Sequence, residues 1–319
     1  MTAERRIPNV VLGFILSAAL VACGLVMMPA AERAVSSEPV AEDKPLVLTY
    51  VANCGALVSA GESKVLFDVL FDKPNPEYRA PAPEILDKMM RAEAPFDGVD
   101  LVLVTHDHPD HFAAAVAVRY LEARLEPLLV APSDAVEAMR KAAADWKRIE
   151  SRVFSLDLKV GESKSLEQKG IALTAFRTLH SGDRESPMNL MYFVEMGGAS
   201  VWHEGDSNGK PEVYQGFGIG RAPVDLALVH YWFPLEPNCA RFLQEELKPA
   251  HIGLTHVPLR LESDAPGKID QVRPNYRDLF LLLPGMPAKV LRRESAPRPD
   301  TVFGRPAPGS EPEKFWPGI

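Results

Sequence analysis

Six residues constrain this chain more than any other feature: His106-Asp107-His108-Pro109-Asp110-His111, directly after the apolar run Leu101-Val102-Leu103-Val104-Thr105. An extended segment sends alternate side chains to one side, so the rings of His106 and His108 share a face. Imidazole suits zinc and iron, and a carboxylate adds a hard donor. Asp110 and His111 are adjacent and point elsewhere, which favours a second metal ion. The chain has only 8 His among 319 residues, so the cluster does not reflect a His-rich composition. Its 3 Cys exclude a cysteine-rich zinc ribbon and a disulfide-dense scaffold. The formal net charge of −8 leaves no broad basic field for a polyanion, so nucleic acid is not an expected partner.

The surrounding pattern places the cluster among mixed strands and helices. Strands are expected at Leu46–Val51, Val65–Asp68, Leu101–Thr105, Leu128–Val130, Ile171–Phe176, Leu190–Glu195, Ser200–His203, Val224–Val229 and Ile252–Thr255. The first two flank Gly55 and Gly61 and read as a hairpin. Helices are expected at Pro83–Ala94, Phe112–Leu125, Asp134–Lys147 capped by Ser133, and Asn238–Leu247. Early hairpins followed by mixed elements suggest sheets covered by helices.

The N-terminus reads as an export signal. Arg5 and Arg6 precede the apolar run Val10–Ala22, which is short for a membrane span. The run ends Leu20-Val21-Ala22-Cys23, which resembles the lipobox of bacterial lipoproteins. That resemblance implies acylation of Cys23 and a membrane lipid anchor in the cell envelope. Gly24 follows Cys23, which suits an outer-membrane destination. Residues 1–22 are then the signal and 23–45, rich in Ala, Glu, Ser and Pro, a flexible tether. The folded domain is expected over 46–283, and 284–319 is a Pro-rich C-terminal segment. Cys54 and Cys239 are free to pair in an oxidising compartment, but spacing alone does not say that they do.

The motifs as a set resemble the metallo-β-lactamase-fold hydrolases. His106, His108, Asp110 and His111 match that family's His-x-His-x-Asp-His. Leu179-His180-Ser181-Gly182, His203-Glu204-Gly205-Asp206-Ser207 and Leu247 to His256 follow in the family's order, and Val65-Leu66-Phe67-Asp68 precedes them. The resemblance implies an α/β fold, a four-layer αββα sandwich of two mixed β-sheets packed face to face with helices outside. It also implies two divalent ions, with zinc expected and iron or manganese as alternatives. His106, His108 and His180 would hold one ion, Asp110, His111 and His256 the other, and Asp206 would bridge them. His251 competes with His256 as ligand but is the less favoured. Asp68 and His203 would support the ligands through hydrogen bonds.

Two ions sharing a water lower its pKa from 15.7 to about 7, giving a bridging hydroxide for attack on an ester, lactone, amide or phosphodiester, with Asp110 as ligand and water-orienting group. The substrate would be a small or lipid-like molecule. After the Val224–Val229 strand, His230-Tyr231-Trp232-Phe233-Pro234 offers a pocket wall, with His230 or Tyr231 as donor to an oxyanion or leaving group. Arg184 and Lys210 read as solvated charges. A mononuclear-iron dioxygenase of the same fold and a non-catalytic binding lipoprotein are the alternative functions.

Overall fold

The computed structural model describes residues 45–73, 75–219 and 222–292, and the backbone of Glu313 and Lys314. The export signal, Cys23 and most of the tether lie outside the described residues. No helix among the described residues is long and apolar enough to cross a membrane.

The chain forms β1 (Leu46–Ala52), β2 (Gly55–Ala60), β3 (Ser63–Phe67), α1 (Pro83–Arg91), β4 (Leu101–Leu103), α2 (Ala114–Ala123), β5 (Leu128–Pro132), α3 (Ser133–Ala142) and β6 (Val153–Leu156). There follow β7 (Ser163–Gln168), β8 (Ile171–His180), β9 (Arg184–Met196), β10 (Ala199–His203), α4 (Pro211–Gly216), β11 (Leu226–His230), α5 (Pro237–Arg241), β12 (His251–Thr255), α6 (Ala265–Val272), β13 (Leu279–Leu281), β14 (Lys289–Leu291) and β15 (Glu313–Lys314). Seven strands form one sheet in the order β14-β1-β2-β3-β4-β5-β6, and eight form the other in the order β13-β12-β11-β10-β9-β8-β7-β15. Both are mixed. β3, β4, β5 and β6 run parallel, as do β10, β11, β12 and β13.

Alternation along the strands explains the layers. In β4, Leu101 and Leu103 face the other sheet, while Val102 faces the helices. In β11, Leu226 and Leu228 face inward, while Ala227 and Val229 face outward. The space between the sheets is filled by such inward residues from both, Phe67, Val130, Leu173 and Tyr192 among them. α1, α2 and α3 cover the outer face of the first sheet through Leu86, Met89, Val116, Tyr120 and Met139. Tyr214 of α4, Cys239 of α5 and Ile269 of α6 cover the outer face of the second. This is the expected αββα sandwich, and its central strands, such as β4, β10, β11 and β12, are buried along their whole length because both faces are covered.

Several local expectations are corrected. Leu46–Val51 and Val65–Asp68 do not pair with each other. Gly55–Ala60 forms a strand between them, and each pairs antiparallel with it. Ser133 is not a cap: it lies inside α3, which has no side-chain cap, and Asp134 Oδ1 accepts instead from Ala135 N at 2.9 Å. α3 stops at Ala142 rather than Lys147, and Trp146 returns to pack on the outer cluster, with the Arg140 guanidinium 4.9 Å over its ring. The helix expected over Asn238–Leu247 is α5 followed by a π-helical segment, Phe242–Leu247. The folded part also passes residue 283, because β14 pairs with β1 and closes that edge of the sheet.

Leu173 is 1% exposed between the sheets and away from the His-rich loops. Leu173→Ala is expected to cost about 2–5 kcal/mol in denaturant unfolding, by lost burial plus the cavity left behind. Bound-metal stoichiometry should be unchanged in the folded variant.

Candidate metal centre

The His-rich loop gathers with five other strand ends at one end of the sandwich. Asp68 follows β3, His106 to His111 follow β4, Asp206 follows β10, and His256 follows β12. His180 and His230 are the last residues of β8 and β11. Parallel neighbours end on the same side, so their carboxyl ends bring residues distant in sequence together.

Two donor clusters result. One ligand atom each from His106, His108, His180 and Asp206 lie within 4.8 Å of one another. The same holds for Cys54, His111, Asp206 and His256. Asp110 Oδ2 stands 3.6 Å from His256 Nε2 and 3.7 Å from His111 Nε2, beside the second cluster. Asp206 belongs to both. Its Oδ2 is 3.5 Å from His180 Nε2 and 3.3 Å from His256 Nε2, and its Oδ1 is 3.2 Å from His111 Nε2.

The residues behind the donors set which nitrogen faces the centre. Asp68 Oδ1 accepts from Thr105 N at 2.8 Å, and Oδ2 accepts from the Thr105 hydroxyl at 2.6 Å and His111 Nδ1 at 2.9 Å. Since Thr105 gives its proton to Asp68, its oxygen accepts from His106 Nδ1 at 2.9 Å. One carboxylate therefore fixes the Nδ1–H tautomer of both rings and leaves both Nε2 atoms turned inward. His180 differs. Arg184 donates to its Nδ1 at 2.8 Å, and Ser181 O lies 3.3 Å from the same atom. Coordination through Nε2 requires the proton on Nδ1, with Ser181 O as its acceptor and Arg184 turned away.

Asp206 is held by its own backbone, whose N–H donates to Asn189 Oδ1 at 3.0 Å. The turn before it requires glycine: Gly205 has φ +56, and a Cβ there would stand 2.8 Å from Thr105 Cβ. Asn53 Nδ2 donates to Asp110 Oδ2 and to Asp110 O, both at 3.0 Å. His256 has φ +59, and its N–H donates to Asn53 O at 3.2 Å.

The electrostatics follow from crowding. Burial and the neighbouring His111 hold His106 well below the ordinary imidazole range. Burial acts the same way on His111, but Asp206 and Asp68 outweigh it and lift it well above that range. Burial opposes ionisation of Asp110, yet His256 and His111 bring it down to about 2. The same balance, with His256 and His111 dominant over burial, keeps Asp206 well below the carboxylate range. The Nε2 atoms of His106, His180 and His256 are buried without a hydrogen-bond partner. Buried polar atoms are rarely left so. Ring nitrogens converging beside ionised carboxylates fit divalent cations.

The remaining expected residues fall as follows. His203 donates from Nε2 to Cys54 O at 3.0 Å, while its Nδ1 accepts from Gly205 N at 3.1 Å, so it buttresses the loops. His251 is engaged by Asp278 Oδ2 at 2.7 Å and Arg292 O at 2.8 Å, and stands in neither cluster. Cys54 and Cys239 are buried and unpaired, with the Cys239 thiol donating to Gly209 O at 3.0 Å. His230 lines the cavity with both ring nitrogens beside carboxylates. Its Nε2 is 3.1 Å from Asp206 Oδ1 and its Nδ1 is 3.1 Å from Glu204 Oε1. Burial opposes its protonation, but those two carboxylates raise it to about 9. Lys210 pairs with Asp183 at 2.6 Å, at the surface as expected.

A cavity of about 350 Å³ opens onto the clusters, lined by His108, Asp110, His180 and His256 and walled by Tyr78, Tyr231 and Trp232, with Arg184 and Arg260 at the exposed margin. The Tyr78 ring lies 4.1 Å from that of His256. Sequence reasoning missed Tyr78, Asn53, Asn189 and Arg260 as site residues. Tyr78, Asn53 and Asn189 reach the site across long sequence separations and carry no local signal.

Residues 63–262 match the family described as "Beta-lactamase superfamily domain". The chain is 27% identical to a "UPF0173 metal-dependent hydrolase" of Pelotomaculum thermopropionicum over 213 residues, 63% of this chain and 80% of that protein. Its fold is similar to that of the metallo-beta-lactamase fold protein YhfI from Bacillus subtilis, with TM-score 0.53 and 15% identity over 77% of this chain and 99% of the other. It is also similar to a mutant of CmlA beta-hydroxylase, with TM-score 0.52 and 16% identity over 80% of this chain. There the match spans only 55% of the longer protein.

Asp68→Asn removes the acceptor that orients His111 and, through Thr105, His106. Metal affinity in competition with a chelator is expected to fall about 10–100-fold. Circular dichroism should show the fold retained.

Proposed function

The chain belongs to the beta-lactamase superfamily domain family, and from that premise we propose that it is a metal-dependent hydrolase working with two divalent ions. The observation that carries this reading is the pair of donor clusters sharing Asp206. The imidazole-rich first cluster favours zinc over magnesium or calcium. Bound there, the ions would supply Lewis acidity and lower the pKa of water enough for hydrolysis at neutral pH.

The protein's own groups do the rest. His106, His108 and His180 would hold the first ion with Asp206, and Asp110, His111 and His256 would hold the second with the same carboxylate. Asp110, fixed by Asn53, stays ionised and orients water beside the cavity. His230 Nε2 holds Asp206 through its Oδ1. Tyr231, half-buried at the wall, contacts the substrate or its leaving group. The cavity takes a small or lipid-like ester, lactone, amide or phosphodiester. Arg184 and Arg260 suit a substrate that carries an anionic group. The resemblance of Leu20-Val21-Ala22-Cys23 to a lipobox supports an activity outside the cytoplasmic membrane, tethered by acylated Cys23; durable anchoring needs more than one acyl chain.

Elemental mass spectrometry on the full chain tests the metal reading. About two zinc ions per chain are expected, falling to about one in His180→Ala or His256→Ala and further in Asp206→Ala. Hydrolysis of an ester, lactone and phosphodiester panel should stop with chelator and return with zinc. One iron per chain would favour oxygenase chemistry instead. No metal bound by folded protein supplied with zinc would overturn the proposal.

A further inference from the structure

Cys54 is a donor that the hydrolytic reading leaves without a task. It sits on the turn between β1 and β2 and is 1% exposed. A buried thiol ordinarily lies among apolar side chains. This one lies among imidazoles and carboxylates, its Sγ within 4.8 Å of ligand atoms of His111, Asp206 and His256. Atoms sharing one ion at about 2.0–2.3 Å stand roughly 3–4 Å apart, so a small contraction suffices.

Two further observations concern the same space. His256 is 8% exposed, and its Nε2 is buried there with no hydrogen-bond partner. The Cys54 backbone is pinned, because buried His203 donates to its carbonyl. The thiol has a loose contact of its own, 3.6 Å to Thr255 Oγ1. Thr255 spends its proton on Val229 O at 3.2 Å, so the thiol is the donor in that contact.

The geometry points to Cys54 as a sulfur ligand of the second ion, beside Asp110, His111, Asp206 and His256. This rests on the metal-dependent reading above. On binding, the S–H bond breaks, the electron pair stays on sulfur and forms the bond to the metal, and the proton passes to solvent. Nothing is oxidised or reduced. A thiolate makes this position prefer zinc, cobalt(II) or cadmium over magnesium or manganese, unlike a set of carboxylate and imidazole alone.

The full chain loaded with cobalt(II) tests the assignment. A sulfur-to-cobalt charge-transfer band in the near ultraviolet is expected. It should vanish in Cys54→Ser and Cys54→Ala and persist in Cys239→Ser. Calorimetry in buffers of different ionisation enthalpy should show one fewer proton released per chain when Cys54→Ser takes up zinc. If the Cys54 variants fail to fold, the cadmium-113 shift of the unaltered protein reports directly whether one sulfur is bound. Cobalt bound without the band, or a band that survives both Cys54 substitutions, overturns the sulfur ligand and leaves the hydrolytic reading standing. No cobalt bound at all removes both.

Discussion

The carboxylate of Asp68 is the contact on which the site depends. It is buried at the end of β3, and its charge is met by a backbone N–H, a hydroxyl and an imidazole N–H. Those three donors belong to the loop after β4, so one interaction binds two parallel strands and sets two histidine tautomers. A buried carboxylate with fewer partners would leave costly unpaired oxygens. Because Thr105 relays its effect to His106, Asp68 reaches both donor clusters without entering either.

Asp206 has the complementary role. Asp68 acts from the first sheet, whereas Asp206 comes from the second. The donors therefore form a bridge across the sandwich, and their spacing is fixed by inter-sheet packing. Tyr192 makes this coupling explicit: its ring fills the inter-sheet core and its hydroxyl donates to Val104 O, two residues before His106, at 2.7 Å. The fold thus sets distances that loops alone could not hold. The family match and the structural likenesses agree with that architecture, while the chemistry is carried by the donors themselves.

The sequence made the donors legible because three imidazoles and a carboxylate fall within six residues, and because His180, Asp206 and His256 each end or follow an apolar strand. The cradle was less visible. Asn53 meets Asp110 across 57 positions, and Thr105 meets Asp68 across 37. Neither pairing leaves a periodicity to read. The two carboxylates beside His230, Glu204 and Asp206, become its neighbours only when β10 and β11 lie side by side, which no local pattern announces. β13 and β14, three residues each, are too short for alternation to declare a strand.

The pairing of β1 with β14 joins residues 46–48 to residues 289–291. On the ribosome, the first strand of the sandwich therefore waits for one of the last. Until then its outer edge offers unpaired amides and carbonyls to any other extended chain. Closing that edge demands a very long-range contact, which slows folding. Before that contact forms, the N-terminal edge is where copies of the chain would most readily add strands to one another.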